Sequence, residues 1–234
     1  LVAYFLQKGK STILNDPYKA INQDAVLIIE TIDLQSFVNS ITTDKGLFGE
    51  IGKIKDFEEF RIRTRFIADK LGSPAFSKTL AGNTALISFY PEENGKVKPL
   101  LSMAMPAGIR LRHIRDMLRD SGIRDVNEKL IQTLPSLVVP YSSGSSRDTV
   151  FLSVVSGLLL CTTSEVLAEE AIMQVSRSDN VRTHPGFERV LMASGKNEDK
   201  VFVVFGNLHT VLKPLIKEGE NALLQRIRNL ASCG

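Results

Sequence analysis

The shortness of the connections between apolar runs constrains this chain most. Residues 134–141 (LPSLVVPY), 148–155 (DTVFLSVV) and 158–163 (LLLCTT) are three β-branched, apolar stretches, separated only by Ser142–Arg147 and by Ser156-Gly157. A crossover between parallel strands needs about a dozen residues or more, so these three runs must form an antiparallel meander. The same argument applies upstream. Residues 83–90 (NTALISFY) and 96–105 (KVKPLLSMAM) are joined through Asn94-Gly95, a dipeptide that suits a hairpin turn. Pro99 places itself near the start of the second of these strands or marks an edge, because proline donates no ladder hydrogen bond.

Helices follow each antiparallel unit. A helix over 109–120 turns Leu111, Ile114, Met117 and Leu118 inward, and Thr163 or Ser164 caps a helix over 165–175. Pro185 opens a short helix through Met192, and Asn15-Asp16-Pro17 opens another that ends near Asn22. Helices are also expected over 53–71 and 218–231. In the first, Ile62 and Phe66 lie opposite the main apolar face, among charged side chains, and need a neighbour: another layer of the fold or a partner. The glycines of GLFGEIG (46–52) have the spacing of neither a dinucleotide fingerprint nor a phosphate loop, and read as a hinge or turn.

One stretch recurs. AVLIIETIDLQSFVNSI (25–41) and KVFVVFGNLHTVLKPLI (200–216) both read as a buried strand, a capping residue (Asp33, Asn207) and a helix. Superposed, Leu27, Ile28 and Ile29 fall on Val201, Phe202 and Val203, and Leu34 falls on Leu208. This is either an internal repeat or two junctions of the same kind. If it is a repeat, the strand at 201–205 lacks the hairpin neighbours of its counterpart, the chain is expected to continue past Gly234 with further strands, and an apolar edge is left near Val201–Phe205 and Leu223–Leu230.

The chemistry that could define an enzyme lacks its usual local signatures. No Walker loop, nucleophile elbow, S-x-x-K or C-x-x-C occurs, and His113, His184 and His209 stand apart, without metal-ligand spacing. The sequence therefore indicates no catalytic, cofactor-binding or metal-binding residue. Glu30 is the one charge in its apolar strand and reads as solvent-facing rather than as a perturbed acid or base. Cys161, inside an apolar run, reads as a buried free thiol, and Cys233 lies near the end. Arg112, Arg115 and Arg119 share the outer face of their helix and form the one possible binding face. Asp116 and Asp120 are interleaved with them, and a solvated helix face is the plainer reading. With 29 Lys and Arg against 26 Asp and Glu, the net charge of +3 gives no general attraction to nucleic acid.

The chain opens LVAYFLQKGKS. Its apolar run is far short of the roughly 20 residues of a membrane span. It reads as the end of a membrane anchor, with Tyr4, Lys8 and Lys10 as interfacial residues, or as an apolar terminus packed on the domain.

DLQSFVNSI, the hairpin and helix after Asn83, VVSGLLLCTTSEVLAEEAI, and PGFERVL ahead of VFVVFGNLHTVLKPLI together resemble an uncharacterised family of bacterial envelope domains. The resemblance covers roughly Asp16 to Cys233. It implies an N-terminal membrane tether and a place on the extracytoplasmic face of the cell membrane, in the periplasm, and it assigns no functional residue. This chain departs from the pattern in lacking most of the membrane helix.

The expected fold is α+β: mainly antiparallel hairpin and meander sheets with helices packed against them, in two related lobes. The expected organisation is an anchor end and linker (1–15), a first lobe (16–133) and a second lobe (134–234) truncated at its C-terminus. The expected function is that of a non-enzymatic, membrane-tethered scaffold or binding domain with no cofactor, whose partner is a protein or an envelope polymer and not nucleic acid. Two other classes stand beside it: a hydrolase or transferase with an unrecognised site, and a cytosolic module that binds an anionic partner through the arginine face.

Overall fold

Two tight turns fold the second half of the chain. Ser156 and Gly157 both take positive φ (47° and 76°), as does the pair Gln132 and Thr133 (48° and 68°). Successive positive φ values give a two-residue turn whose twist matches that of the strands it joins. A computed structural model of the chain describes residues 16–42, 76, 79, 82–91, 97–143, 146–195, 199–204 and 207. The expected helices over 53–71 and 218–231, the Asn94-Gly95 turn, Cys233 and the anchor segment 1–15 lie outside them.

The described strands are β1 (Leu27–Thr31), β2 (Ala85–Pro91), β3 (Val97–Ala104), β4 (Asn127–Ile131), β5 (Leu134–Ser143), β6 (Ser146–Val155), β7 (Leu158–Thr162) and β8 (Lys200–Val203). They form one sheet in the order β4-β5-β6-β7-β3-β2-β1-β8, antiparallel at every pairing. The antiparallel α+β expectation is met. The two lobes are not seen: the boundary at 133/134 falls inside the β4–β5 hairpin, and β3 pairs with β7 across it. Strand β4 has no signal in the sequence, because Gln132-Thr133 carries none of the Gly or Asn that marks such a turn.

The helices given in full by the described residues are α1 (Leu34–Thr42), α2 (Leu111–Asp120), α3 (Glu165–Val175) and α4 (Pro185–Ala193). Asp33 starts α1 by accepting the Ser36 amide at 3.0 Å, and Ser164 starts α3 by accepting the Leu167 amide at 3.3 Å. The segment after Asp16 is a single 3-10 turn, Pro17–Ala20, shorter than the helix expected to reach Asn22. Both faces of the sheet are covered. On the first, Ile29, Ile87, Leu101, Cys161, Leu152 and Leu137 pack with Phe37 of α1, Phe76, and Ile114 and Leu118 of α2. On the second, Ile28, Leu86, Leu100 and Leu160 pack with Tyr18, with Leu167 and Ile172 of α3, and with Phe187 and Leu191 of α4. Coverage of both faces explains why the β2 and β7 segments read as unbroken apolar runs rather than alternating ones, although the sheet is antiparallel. The prolines sit where the ladder allows: Pro99 precedes the stretch of β3 paired with β7, and Pro135 precedes the stretch of β5 paired with β6.

Cross-strand partners on the second face make one row across the sheet: Lys129, Ser136, Ser153, Leu160, Ser102, Leu86, Glu30 and Lys200. Its hydroxyls are buried and partnered. Ser136 and Ser153 bond each other at 2.7 Å, and Ser102 donates to the Pro17 carbonyl at 3.0 Å, so small polar residues let the Pro17–Ala20 turn approach the sheet. The row ends in charges at both edges, and the edge on β8 carries the most unusual chemistry in the fold.

Candidate functional site: the buried polar clasp

Glu30 is 7% exposed, which corrects the solvent-facing reading of the sequence. On the second face its carboxylate meets two donors: the Tyr18 hydroxyl donates to Oε2, and Lys200 Nζ donates to Oε1 at 2.6 Å. A carboxylate can be buried at tolerable cost only when its lone pairs are met by such partners. Arg182 adds a second ion pair, to Asp16 at 2.5 Å, and its guanidinium carbon lies 5.7 Å from the centre of the Tyr18 ring. Phe187 of α4 meets Tyr18 edge-on with centroids 5.7 Å apart, and Phe202 of β8 at 5.0 Å. Burial first, and the bond to Glu30 second, push the Tyr18 hydroxyl far above its ordinary value. It therefore stays protonated and donates.

These residues join segments distant in the chain: 16–30 on one side and 181–207 on the other. Backbone bonds run in parallel with the side chains. The Val181 amide donates to the Ile21 carbonyl at 2.9 Å, and the Val204 amide to the Val26 carbonyl at 2.9 Å. Asn207 Nδ2 donates to the carbonyls of Gln23 (2.6 Å) and Ala25 (3.1 Å). The arrangement is a clasp that holds β8 against β1. As chemistry it offers a carboxylate whose two oxygens are both engaged and a phenol held protonated, an assembly suited to binding segments together.

A second pair has the outline of a nucleophile and its base. Lys98 Nζ donates to Ser164 Oγ at 3.1 Å, yet the same hydroxyl accepts the Leu167 amide as the cap of α3 and is buried. Its position and bonds are those of a structural serine. Cys161 is free and buried, and loss of water around it pushes its thiol up to about 12. His113 Nδ1 accepts the Arg110 amide at 3.0 Å and closes the first turn of α2, His184 precedes α4, and His209 lies outside the described residues. Among the described residues, no group of three or more His, Cys, Asp or Glu gathers that could hold a metal.

The arginine row is divided by the fold. Arg115 is partly buried and paired with Glu128 of β4, with its Nε buried and unbonded, whereas Arg112 and Arg119 are exposed one turn to either side. On the other face, Lys129 of β4 pairs with Glu165 of α3. Sequence reasoning missed the clasp because its six polar members, Asp16, Tyr18, Glu30, Arg182, Lys200 and Asn207, lie on five separate segments. The available signal was Glu30 itself, a lone charge in an apolar strand.

Searches of family models, curated proteins and solved structures each found no match for this chain.

Proposed function

We propose that this chain is a non-enzymatic domain of a membrane-tethered bacterial envelope protein, held on the extracytoplasmic face of the cell membrane, where it binds or scaffolds a protein or an envelope polymer. The observation that carries the binding role is the contrast between the inside and the outside of the β8 edge. Inside, the reactive side chains are spent on one another: Tyr18 and Lys200 on Glu30, and Arg182 on Asp16. Outside, Val201 and Val203 stand 52% and 41% exposed on β8, which among the described residues is an edge strand, an apolar surface of the kind that partners cover. The location rests on the resemblance of the sequence to envelope domains and on the apolar opening with its lysines. No described helix is long and apolar enough to cross a membrane; the tether proposed is the apolar segment at 1–15.

Cell fractionation tests this reading. The protein is expected in the membrane fraction of the native cells, and open to protease added to spheroplasts with an intact inner membrane. Recovery in the soluble cytoplasm, protected from that protease, would overturn it.

A further inference from the structure

The two edges of the sheet are built differently. Strand β4 carries Glu128 towards the first face and Lys129 towards the second, paired with Arg115 and Glu165. Charges on an edge strand discourage a foreign strand from pairing there. Strand β8 has one charged residue, Lys200, and the clasp draws its ammonium inward to Glu30. The remaining residues of β8 are Val201, Phe202 and Val203, and among the described residues β8 pairs with β1 alone.

The register shows which backbone groups this edge offers. Val26 and Val204 belong to the register that sets Ile28 opposite Phe202, and the Val204 amide bonds the Val26 carbonyl. In an antiparallel ladder hydrogen-bonded pairs alternate with non-bonded ones, so the amide and carbonyl of Phe202 point to β1, and those of Val201 and Val203 point away from it. The pairing also has local twofold character: Ile28 and Phe202, the residues equated when the two sequence stretches are superposed, face each other directly. The axis that carries β1 onto β8 carries the β2-facing edge of β1 onto the outer edge of β8. Strand β2, ALISFYP, apolar and uncharged, is the kind of strand the equivalent edge already takes.

We infer that the outer edge of β8 is a strand-acceptor site for an uncharged, apolar extended segment of a partner polypeptide, added antiparallel through the amides and carbonyls of Val201 and Val203. Main-chain bonds supply the attachment, and the exposed valine side chains select apolar residues on the first face. The inference rests on the binding role proposed above and not on the cellular location, so peptide binding and fractionation can fail separately.

The probe is a fluorescein-labelled peptide copying 83–91 (NTALISFYP), titrated with the full chain and followed by fluorescence anisotropy. Saturable binding is expected. It should weaken at least tenfold in Val203→Pro, which removes an outward amide, and in Val201→Lys, which places a charge on the exposed face while leaving the β1 pairing intact. Far-ultraviolet circular dichroism checks that each variant is folded. No saturable binding, or equal binding by wild type and a folded Val201→Lys protein, would overturn the site. Sedimentation of the unliganded chain as a dimer abolished by Val201→Lys would overturn the partner assignment in favour of a second copy.

Discussion

At the scale of single residues, Glu30 decides how the last strand is held. Removing its carboxylate strands the Lys200 ammonium and the Tyr18 hydroxyl in a largely buried site, and breaking a buried ion pair in this way costs up to about 3–5 kcal/mol. Glu30→Ala is therefore expected to lower the urea midpoint strongly. Glu30→Gln, which keeps an acceptor for Tyr18, should cost less, and equal midpoints for wild type and Glu30→Ala would remove the clasp from this account. Alkali should also unfold the protein through three groups whose folded values burial raises, Cys161, Tyr18 and Tyr90. Such a group stabilises the fold fully below its unfolded value and loses that contribution as pH rises to the folded one. Stability should begin to fall above about pH 8.5, where an unfolded thiol ionises, by about 1.4 kcal/mol per pH unit. For Cys161 the loss continues to about 12. Tyr18 and the buried Tyr90 add to the slope above about pH 10, and Tyr18→Phe should remove the share of Tyr18 and leave that of Tyr90. Denaturation curves at pH 8 and pH 11 measure both effects, and unchanged stability between them would contradict the burial of these groups.

At the scale of elements, the turn at Gln132-Thr133 is the one that its residues least favour. Both hold positive φ without being glycine or asparagine, and Gln132→Asn with Thr133→Gly should stabilise the β4–β5 hairpin by about 1 kcal/mol. The readout is a rise in urea midpoint at unchanged slope; a fall would show that the turn is formed differently. The same residues explain what was legible in the sequence. Runs with short links and a glycine turn, such as 148–162, gave the meander with its strands nearly to the residue, because loop length leaves no other topology. Asp33 marks one helix start and Thr163 or Ser164 another, because an unpaired amide at a helix end needs an acceptor nearby, and the structure selects Ser164. Strand β4 was hidden because tertiary pairing stabilises a turn that local preference does not announce. The clasp was hidden because nothing local relates Asp16 to Arg182 or Glu30 to Lys200.

At the scale of the whole molecule, one sheet runs across the boundary expected between two lobes, and the ends of the described chain meet in it. Residues 16–30 and 181–207 are far apart in the chain, so closing β8 onto β1 carries a loop-closure entropy cost, one that grows slowly with the length between them. The clasp, the backbone bonds around Val26 and the packing of Phe187 and Phe202 are what offset it. Both the binding role and the strand-acceptor site depend on this pairing and on its register. Disulfide trapping measures it most directly. Leu27 and Val203 form a pair without mutual backbone bonds, with side chains close together on one face, whereas Leu27 and Val201 are diagonal neighbours. In a Cys161→Ala, Cys233→Ser background, Leu27→Cys with Val203→Cys should oxidise to an intramolecular bridge identifiable by peptide mass. Leu27→Cys with Val201→Cys should not, because its Cα atoms lie beyond bridging reach. Bridging by the second pair in preference to the first, or by neither, would contradict the account.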